Sequence, residues 1–151
     1  MSFRLARPAF RSFKASSIVA KQQLPPISTR LFTTSSPKMT VHIFETKDQF
    51  KEAIAKHDVV ILDAFATWCG PCKAIAPQIA KWSNDEEFQE KVYFAKFDVD
   101  HLPQLAEELG IRAMPTFIFF KNGEKVDEFL GANPPQILNL LKKHSSDEAA
   151  E

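Results

Sequence analysis

A chain of 151 residues is long enough to bury a real core, and one domain is expected. Its 19 basic and 19 acidic side chains cancel only in sum: the first 44 residues hold seven bases and no acid, whereas residues 45–151 hold all 19 acids and 12 bases, net −7. A folded part so charged lacks the basic surface that nucleic-acid binding needs, and no stretch approaches the ~20 apolar residues of a membrane span.

Residues 1–39 read as a leader. Carrying Arg, Ser and Thr without acids, they have the composition of an organellar transit peptide, disordered and removed from the mature protein. Arg4, Arg7, Arg11 and Lys14 follow 3-4-3 spacing on one helical face, with Leu5, Ala9, Phe10 and Phe13 largely opposite. Pro8 would weaken that helix in water, so it is expected only against a membrane or receptor. A secretory signal needs an apolar core of roughly 7–15 residues. The longest run here is Ile18-Val19-Ala20, so the mitochondrial matrix is the expected address. Arg30, two residues before Phe32, resembles a two-step matrix processing site with a first cut at Phe32 and an eight-residue trim ending before Thr40. Met39 offers a second start, which would leave nearly the same protein in the cytosol.

The folded domain is expected over 40–144. Residues 41–44 form a short strand, followed by a helix opened by Thr46 with Gln49 three positions on, a capping-box pair, and with Phe50, Ala53 and Ile54 on its apolar face. Residues 59–66 are nearly continuous in hydrophobics, as a strand buried on both faces is. Its one charge, Asp63, is costly there as a bare anion, which calls for a raised pKa or a partner; Lys96 on a neighbouring strand is the candidate. Ile75, Ile79 and Trp82 mark a helix beyond Pro71, with a kink expected near Pro77. A strand over 92–98 and a helix over 102–109, stopped by Gly110, come next. Strands at 116–120 and 124–130 flank Asn122-Gly123, the pair that suits a two-residue hairpin turn, and Phe117, Ile118, Phe119 and Phe120 read as core. A closing helix spans 135–143, and 145–151 is expected to be a disordered acidic tail. The order β-α-β-α-β-α-β-β-α implies an α/β domain: a mixed central sheet of about five strands with helices on both faces, the hairpin adding an antiparallel edge.

The chain's only cysteines lie in Trp68-Cys69-Gly70-Pro71-Cys72, directly after the buried strand. With a helix from Pro71, Cys69 falls in its first turn, where unpaired N–H groups and the positive end of the macrodipole stabilise a thiolate. The spacing lets one thiol capture a foreign disulfide and the other complete the exchange. Two other readings compete. A passive staple across two residues constrains almost no loop entropy. A zinc site needs two further ligands, and His42, His57, His101 and His144 are scattered singly, each reading as a surface or helix-end residue, so no metal is expected.

The chain resembles the thioredoxin family over about residues 41–143. The likeness rests on Asp63 six residues before Cys69, the pentapeptide ending at Cys72, Pro77, Lys96, the run Gly110-Ile111-Arg112-Ala113-Met114-Pro115-Thr116, then Lys121-Asn122-Gly123 and Gly131, all in the family's order. One departure is Phe65, where many bacterial members carry a second tryptophan; it is expected to change fluorescence more than chemistry. The resemblance implies a thioredoxin fold with a Cys69–Cys72 disulfide in the oxidised state, Cys69 as nucleophile and Cys72, more buried, as resolving thiol. It also makes Asp63, partnered by Lys96, the group that manages the Cys72 proton through a water. Gly70 and Pro71 between the thiols imply a reducing couple. Met114-Pro115 would hold a cis bond and leave the Met114 backbone free to pair with an extended substrate. Trp68, Ile111, Gly131 and Ala132 would complete a flat apolar patch, although a core position suits Ile111 about as well.

The expected function is therefore protein-disulfide reduction. The resemblance implies recycling by an NADPH-dependent thioredoxin reductase, clients such as peroxiredoxins and methionine sulfoxide reductases, a monomer, and no membrane contact in the mature form. No bound cofactor is required, because the electrons reside in two sulfurs. The rivals are a non-catalytic binding or chaperone module on the same fold, and an isomerase or oxidase, disfavoured by Gly70-Pro71 and by the lack of a secretory signal.

Overall fold

The structure, a computed structural model, describes residues 41–146. The leader at 1–39 and all but the first two residues of the expected tail lie outside them. The chain runs β1 (Val41–Ile43), α1 (Lys47–Lys56), β2 (Val59–Phe65), α2 (Gly70–Ser83), β3 (Tyr93–Asp98), α3 (Pro103–Glu108), β4 (Thr116–Lys121), β5 (Glu124–Leu130) and α4 (Pro134–Ser145). The five strands form one mixed sheet in the order β1-β3-β2-β4-β5. β3 lies parallel to both β1 and β2, while β4 runs antiparallel to β2 and to β5.

Local signals account for most boundaries. Thr46 caps α1 by accepting from the Gln49 N–H, and the Gln49 side chain accepts from the Thr46 N–H, which closes the expected box. Asn122 and Gly123 turn the hairpin at φ 53° and 85°. Helix α2 continues through Pro77, whose missing N–H leaves the Lys73 carbonyl without its usual donor. Ser145 belongs to the last turn of α4 and is buried, so the ordered chain extends past the expected boundary at 144.

Strand β4 departs from the expectation that helix-separated strands run parallel. A six-residue helix rises only about 9 Å, whereas a six-residue strand spans about 20 Å. Helix α3 therefore cannot return the chain along the full length of the sheet, and β4 starts from the end where β3 finishes. It enters the interior beside β2, and the hairpin partner β5 takes the edge.

Two apolar layers sandwich the sheet. Val59, Ile61, Phe94, Phe117 and Phe119 face α2 and α4 through Ile75, Ile79, Trp82, Ile137 and Leu141. Val60, Leu62, Ala64, Ala95, Phe97, Ile118 and Phe120 face α1 and α3 through Phe50, Ala53 and Leu105. Burial on both faces explains the uninterrupted apolar run of β2. Each fully enclosed phenylalanine contributes on the order of 2–3 kcal/mol. The site is built at the C-terminal ends of β2 and β3, between these two layers.

Candidate functional site

After β2 the chain turns tightly at Ala66-Thr67-Trp68, where the Cys69 N–H donates to the Ala66 carbonyl at 3.1 Å. The turn delivers Cys69 to the N-cap of α2, with Gly70 and Pro71 opening the helix. Proline costs nothing in that first turn, because its missing N–H would have had no intrahelical acceptor. Cys69 Sγ accepts from the Cys72 N–H at 3.2 Å, and the helix dipole adds positive potential at the same atom. The two sulfurs are joined in a disulfide of 2.02 Å.

Burial does not separate the two cysteines as expected. In this oxidised state Cys69 is 5% exposed and Cys72 4%. What distinguishes them is position, since Cys69 occupies the cap and receives the N–H while Cys72 lies one turn in. Both pack with Ala66, and Phe65, Val99 and Met114 border that cluster.

Around the disulfide, Trp68 stands 66% exposed, with its indole N–H donating to Asp100 Oδ2 at 2.8 Å. Asp100 was not foreseen from the sequence; it lies 32 residues from Trp68 and belongs to no local motif. The Met114–Pro115 bond is cis, and the Thr116 hydroxyl donates to the Ala113 carbonyl at 2.7 Å beside it. The Gly131 N–H donates to the Pro115 carbonyl at 2.9 Å, which ties the entry of β4 to the exit of β5. Gly131 has φ 109°, a conformation that L side chains rarely adopt, and Ala132 beside it is exposed. Ile111 is half-buried and packs against the core layer on the α1 and α3 side of the sheet.

Beneath the disulfide lies a cleft of about 420 Å³ lined by Asp63, Phe65, Ala66, Thr67, Cys72, Lys73, Ala76 and Lys96. Asp63 is 5% exposed, and among the described residues nothing donates a hydrogen bond to its Oδ1. Burial pushes its carboxyl up to about 7, against a smaller opposing pull from the Lys96 charge. Asp63 and Lys96 are register partners on β2 and β3, as the sequence suggested, but no ion pair joins them. The Lys96 ammonium instead sits 5.2 Å from the centroid of the Phe65 ring.

His42 and His57 both stack on the Tyr93 ring, with centroids 4.4 and 4.0 Å from it. His144 ends α4 but is buried, with Nε2 3.2 Å from Asp127 Oδ2. Among the described residues no three His, Cys, Asp or Glu side chains gather as a metal site.

Comparison with known proteins bears on this geometry. The family model described as Thioredoxin matches residues 41–143. Thioredoxin-2 of Pyricularia oryzae is 46% identical over 140 residues, covering 89% of this chain and 80% of that protein. The crystal structure of Malassezia sympodialis thioredoxin superposes with a TM-score of 0.69 at 46% identity, over 74% of this chain and 96% of that one. A chain in a structure of the thiol-resolving mechanism of yeast mitochondrial 1-Cys peroxiredoxin via glutathione/thioredoxin systems gives 0.64 at 33% identity, over 69% and 95%.

Proposed function

Because the chain belongs to the thioredoxin family and is a protein-disulfide reductase working through the Cys69–Cys72 pair, we propose the following roles for its residues. In the reduced protein the Cys69 thiolate attacks one sulfur of a client disulfide, forming a mixed disulfide and releasing the other client sulfur as a thiolate. Asp63 takes the proton from Cys72 through water. The Cys72 thiolate then attacks Cys69 Sγ, the second client sulfur departs, and both client thiolates are protonated. Two electrons have passed to the client, and the Cys69–Cys72 disulfide remains.

Trp68, Met114, Pro115, Gly131 and Ala132 form the client platform, with an extended client strand along the Met114 backbone. Ile111 supports that platform from the core side. Lys96 is the charge that tunes Asp63. The observation that carries the assignment of nucleophile is the position of Cys69 Sγ at the cap of α2, facing the Cys72 N–H.

The oxidised pair is recycled by an NADPH-dependent thioredoxin reductase, and the clients include peroxiredoxins and methionine sulfoxide reductases. The similarity to a chain from a peroxiredoxin-resolving structure supports the first client class. The basic, acid-free leader supports import into the mitochondrial matrix with removal of 1–39, and Met39 supports a cytosolic form. NADPH consumption with thioredoxin reductase and insulin tests the chemistry. Wild type turns over, Cys69→Ser and Cys72→Ser do not, and Cys72→Ser accumulates covalent client adducts. A Cys69→Ser protein that still turns over would overturn the assignment.

A further inference from the structure

Register places Lys96 directly beside Asp63 on adjacent parallel strands, so both side chains leave the sheet on the same face. A lysine in that position beside a buried carboxylate is the ordinary recipe for an ion pair. The ammonium is instead carried toward the C-terminal end of β2 and lies over Phe65, two residues along on the same face. A cation over an aromatic face and a partly solvated ion pair are of similar strength, so the ring is a real competitor for the charge. Of the other groups near the pair, Lys73 of α2 lines the cleft but is exposed and of like charge, and β4 places Phe117 opposite Asp63. Asp98, the register partner of Phe65 on β3, accepts the Asp100 N–H at 2.9 Å and forms no ion pair with Lys96.

We propose that Phe65 is a positioning residue for the disulfide-exchange reaction: its ring holds the Lys96 ammonium away from the Asp63 carboxyl, leaving that carboxyl unpaired and able to exchange a proton with Cys72 across the cleft. The proposal rests on the proton-transfer reading of Asp63 given above. Removing the ring lets Lys96 fold back onto Asp63, and a direct opposite charge holds the carboxyl ionised to lower pH.

The test is the ¹³C carboxyl titration of Asp63 by NMR in the oxidised full-length chain, in which neither cysteine titrates. Phe65→Leu should lower the midpoint by about one pH unit, and the same shift should appear in the pH profile of insulin reduction. Phe65→Trp, which keeps an aromatic face, should leave the midpoint unchanged, and Lys96→Gln should raise it. In the Lys96→Gln background, Phe65→Leu should have no further effect. A Phe65→Leu midpoint that stays or rises, or a downward shift that persists without Lys96, would overturn the proposal. Undiminished turnover of Asp63→Asn would instead remove the proton-transfer reading while leaving the titration result intact.

Discussion

Trp68 and Asp100 are joined by a hydrogen bond of 2.8 Å between the loop after β2 and the loop after β3. The bond spans 32 residues of sequence and fixes a side chain that is two-thirds exposed. For an indole so open, this bond is a restraint that ties the loop after β2 to the loop after β3.

Asp100→Ala should therefore free Trp68 without unfolding the domain. The expected cost is about 1 kcal/mol of stability, with a several-fold rise in KM for insulin and little change in kcat. Trp68 emission should change on this substitution, read in a Trp82→Phe background so that a single indole reports.

Asp63 makes the folded state less stable as pH rises. Its carboxyl is pushed up to about 7 from an ordinary value of 3.8, so between those values the folded chain holds a proton that the unfolded chain has released. Stability accordingly falls from pH 4 to pH 7, and the full penalty, at most about 4 kcal/mol, applies above pH 7. Asp63→Asn should be more stable than wild type at pH 8 and nearly equal below pH 4. Urea melts at pH 4, 6 and 8 check this, and parallel pH dependences for the two proteins would contradict it.

Asp127 should behave in the opposite sense. The hydrogen bond from Lys143 holds its carboxyl below the ordinary value, burial works against it, and His144 adds to the depression. A depressed carboxyl contributes stability that is present above about pH 4 and lost as pH falls through the folded value. Asp127→Asn should cost about 1 kcal/mol at pH 7, loosening α4 from β5, and the deficit should close in acid. Hydrogen exchange of the α4 amides reads the loosening directly.

Much of this architecture was legible because its signals are local or alternate with a fixed period. The Thr46–Gln49 box, the Asn122-Gly123 turn and the apolar stretch of β2 each follow from neighbouring residues, and a charge inside that stretch pointed to Asp63. Lys96 could be matched to it because parallel strands set partners by register. What escaped depends on distance and direction. The orientation of β4 follows from how far a six-residue helix reaches, and Ile111 reads equally as core or contact until the α3 layer is placed. The Trp68–Asp100 bond, the rings of His42 and His57 on Tyr93, and the Lys96–Phe65 contact join residues whose spacing has no periodic signature.

The account depends on Cys69 being the thiol that reacts first. Brief alkylation of the fully reduced chain at pH 7, quenched and mapped by peptide mass, measures this. Label is expected on Cys69 well before Cys72 and faster than on a free cysteine peptide. Equal labelling of the two cysteines, or faster labelling of Cys72, would contradict it.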